Sequence, residues 1–372
     1  MKKIGEVLKL EYGKPLSEEK RSANGLYPVY GANGLKGRSD TFYCDKKTMI
    51  VGRKGSAGEI NLTEERFWPL DVTYFVTFDE TKYDLRFLFH LLTSLDLPKL
   101  AKGVKPGINR NEVYDLSVAL PPLLEQRRIV AVLDKCFSAI DKAKANAERN
   151  LKNAKELFES YLNGVFKKGK DWEMKKLGDI ALVFGRGKSK HRPRDWEGLY
   201  GGNYPFIQTG EVRNANKRVT GYTQTYNDVG LAQSKLWKQG TICITIAANI
   251  AETAILDFDA CIPDSIIGLE VDPKKANPDF TYFLLQHFKS ELQKLGKGSA
   301  QDNINLGTFD NQFFPFPPLK EQQRIVRQLD TLRNETQKLE SVYRQKIANL
   351  EELKKSILHK AFSGELTGKE VA

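Results

Sequence analysis

The chain has 372 residues, of which 40% are hydrophobic and 28% charged, with a formal net charge of +11. That length is too great for one ordinary core and implies roughly two to three domains, the composition excludes a disordered chain, and the charge favours a polyanionic partner, nucleic acid first. Cys44, Cys136, Cys243 and Cys261 show no CxxC spacing and the histidines are scattered, which excludes a disulfide framework or a structural zinc site and fits a reducing cytosol.

The opening "MKKIGEVLKL" has a basic end, but Glu6 and Lys9 interrupt any signal-peptide core. Short β-rich runs follow, "LKLEYGK", "YPVYGANG" and "TMIVGRKG", separated by Gly, Asn and Asp turns, and then one helix-like stretch, "LRFLFHLLTS". Residues 1–120 are expected to form one mixed α/β domain. At Pro121 the chain writes "PPLLEQRRIV", and a narrow apolar stripe runs through Ile129, Leu133, Cys136, Ile140, Ala143, Ala147, Leu151, Ala154, Phe158, Tyr161 and Val165. Steps of three and four predict a helix of about 40 residues, roughly 60 Å long, over 121–168.

The "KKGK" at Lys167 is the expected hinge, and residues 169–316 repeat the first plan. "LGDIALVFGRGK" answers "IGEVLKLEYGK", "YPFIQTGEV" answers "YPVYGANG", "TICITIAA" answers "TMIVGRKG", and Ile304-Asn305 answers Ile108-Asn109. The apolar run "TICITIAANIAETAIL" is broken by Asn249 and Glu252; it is too short to span a bilayer and is expected to be a buried strand with a following loop. At Pro317 comes "PPLKEQQRIV", matching the earlier motif at eight of ten positions and 196 residues after it. Leu133 and Leu329, Asp134 and Asp330, Leu162 and Leu358, Phe166 and Phe362 keep that offset, so residues 317–365 should form a second helix without insertion. An inserted residue would turn every later side chain about 100° off the seam. The fold class is therefore α+β: two mixed α/β domains joined by two long helices that form an antiparallel coiled coil, an internal repeat with pseudo-twofold character.

The paired "PPLxEQxRIV" motif, the helix ends "YLNGVF" and "ILHKAFSGEL" and the loop "VGRKGSAG" make the whole chain resemble the specificity subunit of type I restriction–modification enzymes. The resemblance implies two target-recognition domains, each reading half of a split sequence in double-stranded DNA, with helices that act as a ruler and as the seat for two methyltransferase subunits. It also implies restriction/translocase subunits in the complete enzyme. On that reading this chain is not an enzyme and holds no cofactor or metal: S-adenosylmethionine, Mg and ATP belong to the partner subunits. The expected location is the cytoplasm, away from any membrane.

For DNA contact in the first domain, "GRKGSAG" offers a glycine loop whose N–H groups could face phosphate, with Arg53, Lys54 and Ser56; Arg53 could instead read guanine. "YGANG" offers Tyr30 and Asn33, and "KGVKPGINRN" adds Lys102, Lys105, Asn109 and Arg110. The second domain lacks that loop; its candidates are Arg186, Lys188, Lys190 and Arg192, then Gln208, Thr209 and Arg213, then Lys297, Gln301 and Asn303. On the helices, Glu125, Gln126, Arg128 and their repeats Glu321, Gln322, Arg324 either cap the helix start or dock the methyltransferase subunits.

Patterns of intrinsic catalysis fall short. "GKS" at Gly187 lacks the earlier glycine of a phosphate loop, since Leu182 stands there. "VFGRG" and "NPDF" echo amino-methyltransferase motifs, yet Asp279 replaces the second proline of the latter. Asp71 with Glu80 and Lys82 matches a nuclease pattern only loosely.

Overall fold

The computed structural model describes residues 1–169, 171–190, 196–247, 249–297 and 303–363. The chain divides into two compact units, Met1–Arg149 with Tyr343–Ala372, and Asn150–Val342.

In the first unit the elements run β1 (Lys2–Lys3), β2 (Leu8–Tyr12), β3 (Tyr27–Gly31), β4 (Gly34–Ser39), β5 (Thr48–Gly52), β6 (Ile60–Thr63), β7 (Trp68–Pro69), β8 (Thr73–Phe78), α1 (Leu85–Ser94), α2 (Arg110–Tyr114) and β9 (Ser117–Val118). Strand β2 buries Leu8 and Leu10 and leaves Lys9 outside, the alternation of a strand with one face on a core. β5 is buried along its whole length because it lies inside a four-stranded antiparallel sheet of order β2-β8-β5-β6. A second sheet has the order β4-β3-β7, with β3 and β7 parallel. Helix α1 covers the larger sheet through Phe87, Leu88, Leu91 and Leu92, and Asp84 caps it by accepting from the N–H of Arg86 and of Phe87.

Helix α3 (Leu123–Lys168) follows, and the second unit then repeats the plan: β10 (Glu173–Lys175), β11 (Ala181–Arg186), β12 (Tyr200–Phe206), α4 (Thr209–Asn214), β13 (Arg218–Val219), β14 (Gln224–Tyr226), α5 (Asp228–Ala232), β15 (Leu236–Trp237), β16 (Ile242–Thr245), β17 (Thr253–Leu256), β18 (Ala260–Cys261), β19 (Ile266–Val271), α6 (Pro278–Lys297), α7 (Leu306–Asp310), β20 (Phe314–Phe316) and α8 (Leu319–Ser363). Its larger sheets are β11-β19-β16-β17-β13 and β14-β12-β18-β15, and β10 pairs with β20 as β1 does with β9 in the first unit. Set beside the first unit, β11, β19, β16 and β17 stand for β2, β8, β5 and β6, and β14, β12 and β18 for β4, β3 and β7. Even the parallel pair recurs, as β12 with β18. The second domain adds β13 and β15 at the sheet edges. Between β12 and β14 it also inserts α4 and β13, where β3 and β4 are joined by Ala32 and Asn33 alone.

One expectation is corrected at this level. "TICITIAANIAETAIL" is two strands, β16 and β17, paired antiparallel from Ile242–Ile255 to Ile244–Thr253. Asn249 and Glu252, polar breaks in an apolar run, lie in the turn of that hairpin.

The two helices, 46 and 45 residues long, exceed the expected length of about 40 and run antiparallel in each unit. In the first unit Ile129, Leu133 and Phe137 of α3 share a core with Ile357, Leu358, Ala361 and Phe362 of α8. Two ion pairs flank them, Lys354–Asp141 at 2.8 Å and Lys144–Glu351 at 2.6 Å. In the second unit Phe158, Leu162 and Phe166 pack with Ile325 and Leu329. The apolar stripe of α3 differs from expectation at one place: Tyr161 is 40% exposed, whereas Leu162 and Phe166 are buried. Beyond Ala154 helix α3 turns its buried side to the second domain, where Phe166 meets Phe280 and Trp172. A helix of 3.6 residues per turn drifts about 20° per heptad, enough to change which residue faces inward.

Candidate nucleic-acid interface

Both domains are seated on their helix by the same device. Gln126, 1% exposed, accepts from the N–H of Asp84 at 2.9 Å and donates to the carbonyls of Lys82 (3.1 Å) and Pro121 (2.9 Å). Its repeat Gln322, also 1% exposed, accepts from the N–H of Asn277 at 2.8 Å and donates to the carbonyl of Pro317 at 2.7 Å. Asn277 caps α6 as Asp84 caps α1, accepting from the N–H of Phe280. The docking expectation is thereby corrected for Gln126 and Gln322: their amides are used inside the chain and cannot meet a partner. Arg128 is exposed and Glu125 half-buried, while Glu321 and Arg324 face each other as a two-bond ion pair of 2.5 and 2.8 Å that holds the Glu321 carboxyl below its usual range. "NPDF" is simply the start of α6.

Two residues past each cap the halves diverge. In the first, Arg86 meets Asp134 at 2.7 Å. Beside them His90 packs against Phe137 with its Nε2 3.7 Å from Asp134, and burial lowers its pKa against the pull of that carboxylate. In the second, the position of Arg86 holds Asp279, and the helix residue is again acidic, Asp330. Lys217, from the inserted segment, supplies the missing cation: its ammonium, 12% exposed, reaches Asp279 at 3.0 Å and Asp330 at 2.5 Å. Its backbone sits in the left-handed region at φ 70°. Arg218 reaches Asp279 at 3.0 Å, and Arg333 of α8 donates to Tyr282 (3.0 Å) and Asn216 (2.8 Å). The 196-residue spacing of Asp134 and Asp330 was the one sign of this seat in the sequence; nothing local marked Lys217.

In the first domain the fold gathers the three segments read as DNA contacts. Gly52 lies so close to the Ala32–Asn33 turn that a Cβ there would stand 2.7 Å from the Ala32 carbonyl and 2.1 Å from that of Ser56. The turn of residues 102–107 closes with paired bonds of 3.0 Å between Lys102 and Gly107, and it is tied to the glycine loop by Gly55 N–H to the Pro106 carbonyl (2.9 Å) and Ile108 N–H to that of Arg53 (3.0 Å). Arg53 donates Nε and Nη2 to the Asp71 carbonyl (3.1 and 2.7 Å), which fixes the plane of its guanidinium. Arg53 and Arg110 both stand over the ring of Tyr12, at 5.4 and 5.0 Å. Burial, with Tyr12 alongside, pushes the Tyr74 phenol up to about 12. Lys54, Lys105 and Asn33 are exposed, Ser56 is half-buried, and Lys102 pairs with Glu112 at 2.7 Å.

Two assignments change. The phosphate-cradle reading of the glycine loop fails: the N–H groups of Arg53, Lys54, Gly55, Ala57 and Gly58 all donate to carbonyls within the domain. Asn109 is the cap of α2, its side-chain oxygen accepting from the N–H of Asn111 at 2.9 Å, which explains why Asn305 answers it as the cap of α7. Tyr30 is half-buried with its ring against Phe67 at 5.9 Å. Tyr12, placed by β2 at the centre of the cluster, was missed because a single Tyr at a strand end carries no signal of its own.

In the second domain Arg186 repeats the manner of Arg53, with Nε and Nη2 both on the Asp264 carbonyl (2.8 and 2.5 Å). Gly187 is required at its place, since a Cβ would stand 2.3 Å from the carbonyls of Ile262 and Pro263. Lys188 and Lys190 are exposed side chains on a pinned backbone: Lys188 N–H donates to the Ile262 carbonyl (3.1 Å) and Lys190 N–H to Gln233 (2.6 Å). Lys235 adjoins, its ammonium 3.6 Å from the centre of the Trp237 ring and its pKa lowered by burial. Gln208 donates to Gln224 at 2.8 Å beside the half-buried Thr209. Arg213 stands apart from these, lining a cavity of about 570 Å³ with Lys155, Glu159, Lys289 and Glu340. Asn303 is half-buried and Lys297 closes α6. Arg192 and Gln301 lie outside the described residues. No group of His, Cys, Asp and Glu able to hold a metal ion occurs among the described residues, Lys82 pairs with Asp79 at 2.8 Å, and no described helix is long and apolar enough to cross a membrane.

A duplicated two-sheet domain, each copy seated on a long helix and each presenting an unlike basic surface, defines a paired recognition scaffold. The model of the type I restriction–modification DNA specificity domain matches residues 1–149 and again 169–351, so the chain belongs to that family and is a specificity subunit. It is 24% identical to the EcoBI specificity subunit of Escherichia coli, over 94% of this chain and 82% of that one, and 24% identical to the MjaVIII specificity subunit of Methanocaldococcus jannaschii, over 99% and 93%. Its fold matches a chain in a solved structure of the type I restriction–modification system, described for complex assembly and conformational transition, with a TM-score of 0.77, 20% identity and 98% and 97% of the two chains covered. The HsdS subunit of Thermoanaerobacter tengcongensis matches with a TM-score of 0.59, 21% identity and 98% and 96% covered.

Proposed function

We propose that this specificity subunit reads an asymmetric, bipartite target in double-stranded DNA, one half-site per domain, and seats two adenine-methyltransferase subunits on its helices, with restriction/translocase subunits joining the complete enzyme. The observation that carries this reading is repetition of the frame without repetition of the surface. The Gln126 and Gln322 clamps and the Asp134 and Asp330 seats recur. The exposed cations do not: Lys54 and Lys105 stand on loops of one domain, Lys188 and Lys190 on the strand exit of the other. Two unlike readers on like mounts would recognise two unlike half-sites, and phosphate contacts would set the register while a few side chains select bases.

In this reading the chain performs no chemistry. S-adenosylmethionine, Mg and ATP are handled by the partner subunits, and the length of the helices sets the gap between half-sites. The test is reconstitution with the methyltransferase subunits followed by mapping of methylated adenines. The expected outcome is one split, asymmetric motif, salt-dependent binding and no methylation or cleavage by the isolated chain. Activity of the chain alone, or a complex indifferent to DNA sequence, would overturn the proposal.

A further inference from the structure

Val104 is the most exposed large apolar side chain among the described residues: 108% of its reference surface, against 88% for Met1 and 82% for Leu124. It stands at the tip of the 102–107 turn, which is closed by two backbone bonds of 3.0 Å, turned by Gly103 at φ 92°, and strapped to the Arg53–Gly58 loop through Gly55 and Ile108. The tip is therefore held in place on both sides. Turn tips favour Gly, Asn, Asp and Ser, whose side chains satisfy backbone groups or tolerate unusual φ. A β-branched apolar residue does neither, and here it keeps its whole surface in water.

Its neighbours are cationic. Lys105 flanks the tip and Lys54 bridges to Gly107 at the base of the turn, both exposed, while Lys102, also exposed, is paired with Glu112. Such a tip would be drawn to a phosphate-lined groove, where Val104 has no hydrogen bond to offer. Along the major groove, the polar edges of guanine, adenine and cytosine would lose water to it without recompense. Thymine alone presents an apolar feature there, its C5-methyl group. We infer that Val104 is a specificity residue that packs on the methyl group of a thymine in the half-site read by the first domain. The inference rests on the DNA-reading function proposed above.

The test uses the complex of the full chain with its methyltransferase subunits and duplexes in which each thymine of the first half-site is replaced, singly, by deoxyuridine. Deoxyuridine pairs as thymine does but lacks the methyl. Wild type should bind about fourfold more weakly at one position, the worth of one buried methyl. V104A should bind the thymine duplex with a similar loss, show no sensitivity to deoxyuridine there, and accept cytosine more readily at that base pair. Its thermal unfolding should match wild type, since Val104 touches no core.

A first half-site without thymine, a deoxyuridine series with no effect on wild type, or a V104A complex that keeps the sensitivity would each overturn the inference. So would local unstacking reported by 2-aminopurine that V104A abolishes, which would make Val104 a wedge between bases. A complex that shows no salt-dependent, sequence-selective binding at all would instead sink the underlying function.

Discussion

Replacing Lys217 with Met tests the account of how the second domain is mounted. The substitution keeps the length of the side chain and removes the charge between Asp279 and Asp330, whose side chains are 24% and 36% exposed. Breaking a fully buried ion pair costs about 3–5 kcal/mol, whereas an exposed one costs about 0.2–1 kcal/mol. Asp279 retains Arg218 at 3.0 Å, and Asp330 retains water. The loss should therefore fall between those limits, at about 2–3 kcal/mol, which for a unit of about 190 residues lowers its Tm by roughly 4–12 °C. Scanning calorimetry or hydrogen exchange within Asn150–Val342 would measure it. Adding D279R should recover at least half of the loss, because it recreates the first domain's arrangement of Arg86 on Asp134. If K217M alone melts with wild type, or if D279R in the double variant deepens the loss, the repeated acidic seat is not a stabilising feature.

Q126A leaves the Asp84 N–H and two part-buried carbonyls without partners and should destabilise Met1–Arg149 by about 1–3 kcal/mol, visible as faster hydrogen exchange of the Asp84 amide. His90 and His287 both have pKa values lowered chiefly by burial, so the unfolded chain takes up their protons first. Stability should be whole above about pH 6.5 and decline as the pH falls below that toward their folded values; H90N/H287N should lose less Tm than wild type between pH 7.5 and 5.5. K105A should weaken binding to all sequences alike and reduce the salt slope of the complex by about 1, whereas R53K, which keeps the charge but not the planar fork held on Asp71, should relax selection at one base pair.

The architecture was legible because repetition is visible at the level of spacing. A constant offset of 196 residues can only be kept by elements that tolerate no insertion, and helix periodicity then named the element. The limits of the stripe were less legible: choosing Leu162 over Tyr161 required knowing that α3 changes partner along its length. The site was legible only as segments. Sequence placed "GRKGSAG" and "KGVKPGINRN" in one list of basic loops, and the fold joins them edge to edge. It could not show that the glycine loop spends its N–H groups internally, that Asn109 is a cap, or that Lys217 replaces an arginine lost from the opposite side. Each of those depends on which backbone passes nearby.

The most direct measurement exchanges residues 1–120 for the corresponding domain of a relative with a different target, leaves both helices and the second domain intact, and maps methylated adenines made by the reconstituted complex. The account predicts a new first half-site with the second half-site and the intervening gap unchanged. A changed second half-site, or an altered gap, would contradict it.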